Sequence, residues 1–139
     1  MGPPPSQPAE QPLTLREQLP ATVESVSVAR RAVRRFVQGL EVDVDGIALA
    51  VSEAVANVVA HAYAEAGGTI ELSATASRGE VAVVVRDRGR GLDPARPSRG
   101  AGFGMEIIRR LAQQVTLDDT SSGVALTMRF RRGGAWLAR

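Results

Sequence analysis

No cysteine and no lysine occur in this chain, and it contains a single histidine, His61. Without cysteine there are no disulfides, no thiolate nucleophile and no cysteine-ligated zinc site. Without lysine there is no Walker A phosphate lysine, no Schiff-base lysine and no strand lysine of the protein-kinase type. All 17 basic residues are arginine, which points to a GC-rich coding bias more than to selection at one site. One histidine cannot build a multi-histidine metal centre. No apolar run reaches membrane-spanning length, and the Pro-rich start from Met1 to Pro12 lacks the charged head and apolar middle of a signal peptide. No membrane partner is expected, and a cytoplasmic location is the default. The net charge is only +2, so direct nucleic-acid binding is not expected either.

What remains is a chain of 139 residues, 44% hydrophobic, which suits one domain with a real core. Residues 1–12 read as a disordered leader, 13–132 as the folded domain and 133–139 as a tail whose Trp136 and Leu137 pack back or meet a partner. Leu13 to Leu19 alternates like a short edge strand ended by Pro20, with Thr22 placed to cap the next helix. Val26, Ala29, Val33, Phe36, Val37 and Leu40 recur at helical spacing. Arg30, Arg31, Arg34 and Arg35 lie off that face, either as its solvated side or as a basic ridge for an acidic partner. Asp43 or Asp45 caps a second helix. Thr69 to Ala76 and Val81 to Val85 form a hairpin around Ser77–Gly79, and the continuously apolar second strand reads as the more deeply buried. After a long loop from Arg88, helical spacing resumes from Met105 to Gln114. Two strands follow, Val115 to Leu117 and Val124 to Phe130, joined by a turn from Asp118 to Gly123. The order predicts a two-layer α/β (α+β) sandwich, its sheet mixed but mostly antiparallel, with the helices packed on one face.

The second helix carries the main chemical signal. From Ile47 to Tyr63 it is nearly all apolar, yet Glu53, Asn57 and His61 fall at i, i+4 and i+8 and share one stripe. A helix apolar elsewhere should be buried, and a buried Glu and Asn are costly without partners. Either neighbouring backbone or a ligand supplies them. Two further pieces bear on this choice. Asp87 ends a strand and is followed by Gly89 and Gly91; a carboxylate there accepts a ligand N–H, and the glycines leave room for a flat ring. Gly100, Gly102 and Gly104 lead into a helix, where close backbone approach and free N–H groups favour phosphate. Arg99, Arg96 or Arg90 can add charge-assisted bonds to phosphate oxygens.

In this order, E-x-x-x-N-x-x-x-H-A-Y, D-x-G-x-G and G-x-G-x-G closely resemble the GHKL ATP-binding family, which includes gyrase and the sensor histidine kinases. The resemblance covers roughly residues 13 to 130. Chain size and the H-A-Y ending look most like its anti-sigma-factor serine-protein kinases. It implies the Bergerat type of fold, ATP or ADP and Mg2+ as ligands, Glu53 as general base and Asn57 as magnesium ligand. It further implies Asp87 as the reader of the adenine amino group and Gly89 and Gly91 as nucleotide floor; among the arginines, Arg99 is carried as the nucleotide-binding candidate. Gly100, Gly102 and Gly104 would fall in a lid over the phosphates. The implied partners are a sigma factor and a serine-bearing anti-sigma-factor antagonist, in a switch that regulates transcription; a homodimer is left open. One departure stands out: many relatives carry Thr after the glycine of the last hairpin, and here Gly123 is followed by Val124. The alternative is therefore an ATP- or ADP-binding regulatory module without phosphoryl transfer.

Overall fold

The computed structural model describes residues 13–62, 68–87, 101–120 and 123–133, the side chains at 61–62, 101–103 and 119–120 excepted. The elements run β1 (Leu13–Pro20), α1 (Glu24–Val37), α2 (Val44–Ala62), β2 (Thr69–Ala76), β3 (Glu80–Asp87), α3 (Ala101–Leu111), β4 (Gln114–Thr120) and β5 (Gly123–Arg131). The leader expected at 1–12 and Trp136 and Leu137 of the tail lie outside the described residues.

The strands form one sheet in the order β1-β2-β3-β5-β4, and every neighbouring pair is antiparallel. The period-2 alternation decides which face is covered. Ile70, Leu72, Ala74 and Ala76 of β2 are buried, as are Val81, Val83 and Val85 of β3 and Leu126, Met128 and Phe130 of β5. Cross-strand partners share a face, and the register pairs Leu72 with Val85 and Val85 with Leu126, so these rows make one apolar surface. Onto it pack Ala29, Val33 and Val37 of α1, Ile47, Val51 and Val55 of α2, and Ile108 of α3. The helix α2 lies in contact with both α1 and α3. The result is the expected two-layer sandwich.

Several local expectations need correction. Strand β3 is not more deeply buried than β2: both alternate, with Ala82 and Val84 only half-buried and Arg86 exposed. A run of valines mimics a strand covered on both sides, but here the outer face of the sheet carries no helix layer among the described residues. Helix α3 begins at Ala101 and ends at Leu111, earlier at both ends than Met105 to Gln114. Gly102 and Gly104 therefore belong to its first turns, and Gln114 opens β4. Strand β4 in turn runs to Thr120, through residues expected to form the turn. Thr22 does not cap α1 through its side chain, since the helix starts after Val23 without a side-chain cap. Its hydroxyl instead lies 3.3 Å from the Ser25 hydroxyl, which donates to the Pro20 carbonyl.

At the start of α2 the expectation holds for Asp43. Its Oδ1 accepts the Gly46 N–H at 3.0 Å and so satisfies one of the otherwise orphan donors of the first turn. A side chain at 46 would run into that carboxylate, so glycine is what lets the cap close. Asp45 does something else, pairing across to Arg34 of α1 at 2.8 Å.

Candidate functional site

Helix α2 is the core element of the helical layer, with Ile47, Ala50, Val51, Ala54, Val55 and Val59 all buried. It is not buried all round, as its composition predicted. Asp45, Leu49, Ala56 and Ala60 are exposed, and Leu49 keeps 46% of its surface in solvent. Ser52 is buried and satisfies itself by donating to the Ala48 carbonyl one turn back, at 2.9 Å. The polar stripe runs along the margin between the buried and exposed faces: Glu53 and Asn57 are both half-buried. The side chain of His61 lies outside the described residues.

The carboxamide of Asn57 is the decisive group. Its Nδ2 atom is fully enclosed and has no hydrogen-bond partner. Buried polar groups in folded proteins are almost always paired, and an unpaired one costs about 1–3 kcal/mol. Neighbouring backbone therefore does not complete this residue, although that was one of the two readings of the stripe. The opposing surface is the second turn of α3. A Cβ on Gly104 would lie 2.8 Å from Asn57 Nδ2 and 2.9 Å from its Oδ1, closer than any side chain can stand. Glycine at 104 is thus the condition for Asn57 to hold its position. Sequence reasoning placed Gly104 in a loop over phosphate and missed this contact; the signal was the G-x-G-x-G spacing itself, which continues into the helix.

Asp87 ends β3 on the helix-facing side of the sheet and is 8% exposed, one of the few buried polar residues described. Its register neighbours are Ile70 on β2 and Val124 on β5. Val124 is itself buried, so the position where a threonine hydroxyl was missed lies directly beside Asp87 and presents methyl groups. Thr127 pairs with Val84 and Thr116 on the outer face and cannot stand in for it. Helix α2 packs against β3. The structure thus sets Asn57 against Gly104 where α2 meets α3, with Glu53 one turn before Asn57 on α2 and Asp87 at the end of β3. Gly102 sits in α3. Gly89, Gly91, Arg99 and Gly100 lie outside the described residues, as do Arg90 and Arg96.

Among the described residues no cluster of three or more His, Cys, Asp or Glu could hold a metal ion. The chemistry of the donor set fits a hard cation that takes one amide oxygen from protein and its other ligands elsewhere. Magnesium does this with substrate phosphates and water. No helix of the described residues is long and apolar enough to cross a membrane.

The chain and its fold are similar to those of known proteins. Residues 19–130 match the model of the histidine kinase-like ATPase domain. A serine-protein kinase RsbW of Halalkalibacterium halodurans is 32% identical over 136 aligned positions, covering 85% of this chain and 83% of that protein. An anti-sigma F factor of Clostridium acetobutylicum is 34% identical over 76 positions, about half of each chain (52% and 53%). A crystal structure of RsbU and RsbW domains from Mycobacterium tuberculosis superposes with a TM-score of 0.69 at 26% identity, over 86% of this chain and 32% of that one. A blue-light-activated histidine kinase of Erythrobacter litoralis shares the fold at 22% identity and a TM-score of 0.58, over 86% of this chain and 44% of that one.

Proposed function

Because this chain belongs to the histidine kinase-like ATPase domain family, we propose that it is an ATP- and magnesium-dependent serine-protein kinase that also acts as an anti-sigma factor. Its acceptor would be a small antagonist protein, and phosphorylation of that protein's serine would decide which partner the chain holds. The similarity to RsbW and to the anti-sigma F factor supports the class of activity. The observation that supports the reading is the enclosed, unpaired Nδ2 of Asn57, whose carboxamide stands against Gly104, with Glu53 one turn away on the same margin of α2.

Each residue then has a task. Asn57 Oδ1 would hold magnesium, whose remaining ligands would come from phosphate and water. Asp87 accepts the exocyclic amine of adenine, which an ionised carboxylate can do and a donor cannot. Glu53 would accept the proton of the incoming serine hydroxyl as its oxygen forms a bond to the γ-phosphorus of ATP, while the bond from that phosphorus to the bridging oxygen breaks and ADP leaves. Bound ATP supplies the phosphoryl group. Positioning and charge neutralisation do most of the work in such a transfer.

A second reading is favoured by one observation. Val124, buried beside Asp87, offers no hydroxyl to the site, which fits a regulator that binds ATP or ADP without transferring phosphate. A pull-down with and without ATP, followed by mass spectrometry for phosphoserine on the captured protein, separates the two. Capture with phosphoserine supports the kinase. Capture that depends on nucleotide but never yields phosphoserine supports the regulator, and the kinase reading then falls.

A further inference from the structure

An exposed face of α2 runs through Asp45, Leu49, Ala56 and Ala60 and passes beside Glu53. Leu49 is the only large apolar side chain exposed among the described residues of this helix, and it stands exactly four residues before Glu53. Residues at i and i+4 are neighbours on a helix surface, about 6 Å apart along the axis. Beyond Glu53 the exposed positions are Ala56 and Ala60, whose methyl groups leave the surface low. Before Leu49 the same face ends at Asp45, closed off by its ion pair with Arg34. The margin therefore reads as a shallow track: a charged stop, one aliphatic knob, a carboxylate and a small-residue floor. A core helix gains nothing for its own packing by leaving a leucine nearly half exposed there.

An extended peptide fits this spacing. Its side chains on one face recur every second residue, about 6.6–6.8 Å apart, close to the helix's four-residue step. A serine hydroxyl placed at Glu53 thus sets the side chain two positions away over Leu49. We infer that Leu49 is a specificity-determining contact that docks an aliphatic residue two positions from the acceptor serine, in an extended segment of the substrate protein. The inference rests on the kinase reading above and narrows it. The occupant is aliphatic because Leu49 offers only dispersion and burial, while the charged groups of the track, Asp45 and Glu53, lie one turn to either side of it. Continuity with Glu53 makes the acceptor segment the occupant, and not a surface remote from the chemistry. Leu49 does not touch the reacting atoms; it positions the chain that carries them.

The test uses the full chain, labelled ATP with magnesium, and synthetic peptides with a single serine in a Gly/Ala background. One leucine is moved from four positions before the serine to four after. Leucine at the second position, on one side of the serine, should raise kcat/KM about tenfold over leucine at odd positions. Leu49→Asp should remove that preference through KM, with kcat on the leucine peptide retained, and Leu49→Met should restore it. ADP affinity and the thermal midpoint should stay at parental values for Leu49→Asp and for Leu49→Gln, which separates docking from folding. Equal efficiency at all positions, a preference that survives Leu49→Asp, or no label in any peptide would each overturn the inference. The kinase reading stands or falls separately, on phosphoserine in the protein captured by the pull-down.

Discussion

The two ends of helix α2 use the same device for opposite purposes. At its start, Asp43 turns back onto the helix and Gly46 leaves the space it needs, so that a 3.0 Å hydrogen bond closes the cap. Toward its end, Asn57 projects across to α3 and Gly104 leaves the space it needs, yet no bond is formed and Nδ2 stays orphaned. Both glycines are dictated by a polar side chain that a Cβ would displace. Only one of those side chains is satisfied by protein. The first end is closed within the protein; the second is left open, which fits the ligand-binding role proposed for Asn57. A glycine forced by close approach does not by itself mark a site, and the hydrogen-bond account of the group it accommodates is what tells the two cases apart.

The comparison is most sharply tested at Glu53. Glu53→Gln keeps the size of the side chain and removes the proton acceptor, so phosphoryl transfer should fall by about 10²–10⁴-fold. Nucleotide affinity, measured by titration with Mg-ADP, should remain near the parental value. Loss of binding together with activity would instead make Glu53 part of the scaffold, and the open end of α2 would look more like the closed one.

Gly104→Ala comes next. The new methyl would stand against the Asn57 carboxamide and push it from its place, and misplacement of about 1 Å at a reacting site can cost about 10²-fold in rate. Asn57→Ala should likewise abolish the thermal stabilisation that Mg-ADP confers. Without nucleotide, though, Asn57→Ala should shift stability by no more than about 1 kcal/mol, because the lost packing is offset by removal of an unpaired buried donor. Thermal denaturation with and without Mg-ADP reads both numbers. A large loss of stability without nucleotide would show that Asn57 is a structural member after all.

The sandwich was legible in the sequence because alternation in β2 and β5 and the 3.6-residue spacing of α1 each point to one buried face. Where the reading went wrong, two physical signals coincided. The valines of β3 satisfy both a half-covered and a fully covered strand, and only the outer face, without a helix layer among the described residues, decides between them. The glycines at 102 and 104 weaken a helix on propensity, so α3 was started too late; packing against α2 overrode that preference. Glu53, Asn57 and Asp87 were found as candidates from their spacing and from the family resemblance. The contact between Asn57 and Gly104 was not, because it joins residues 47 positions apart in chain order and depends on where two helices cross. The exposure of Leu49 was hidden for the same reason: an apolar residue on a core helix reads as core until its neighbours are placed.

At the closed end the effects should be smaller and confined to stability. Asp43→Ala removes the N-cap and should cost about 1 kcal/mol, seen as a lower denaturation midpoint with Mg-ADP binding and transfer unchanged. If nucleotide binding fell as well, the two ends of α2 would be coupled, and the division between structure and function drawn along this helix would fail.

The smallest expected effect belongs to the Arg34–Asp45 pair. Its bond is short, at 2.8 Å, but Arg34 is 45% and Asp45 87% exposed, so water competes for both partners and salt screens them. Arg34→Ala should therefore change stability by less than about 0.5 kcal/mol, and that change should vanish as salt rises toward 1 M. Because Arg34 ends the exposed track that leads through Leu49 to Glu53, the same variant is informative in the peptide assay. A pure surface ion pair predicts unchanged KM for every peptide. A raised KM confined to longer peptides that reach past Leu49 would extend the docking track by one more turn, and would make the start of α2 part of substrate recognition even though its cap is complete.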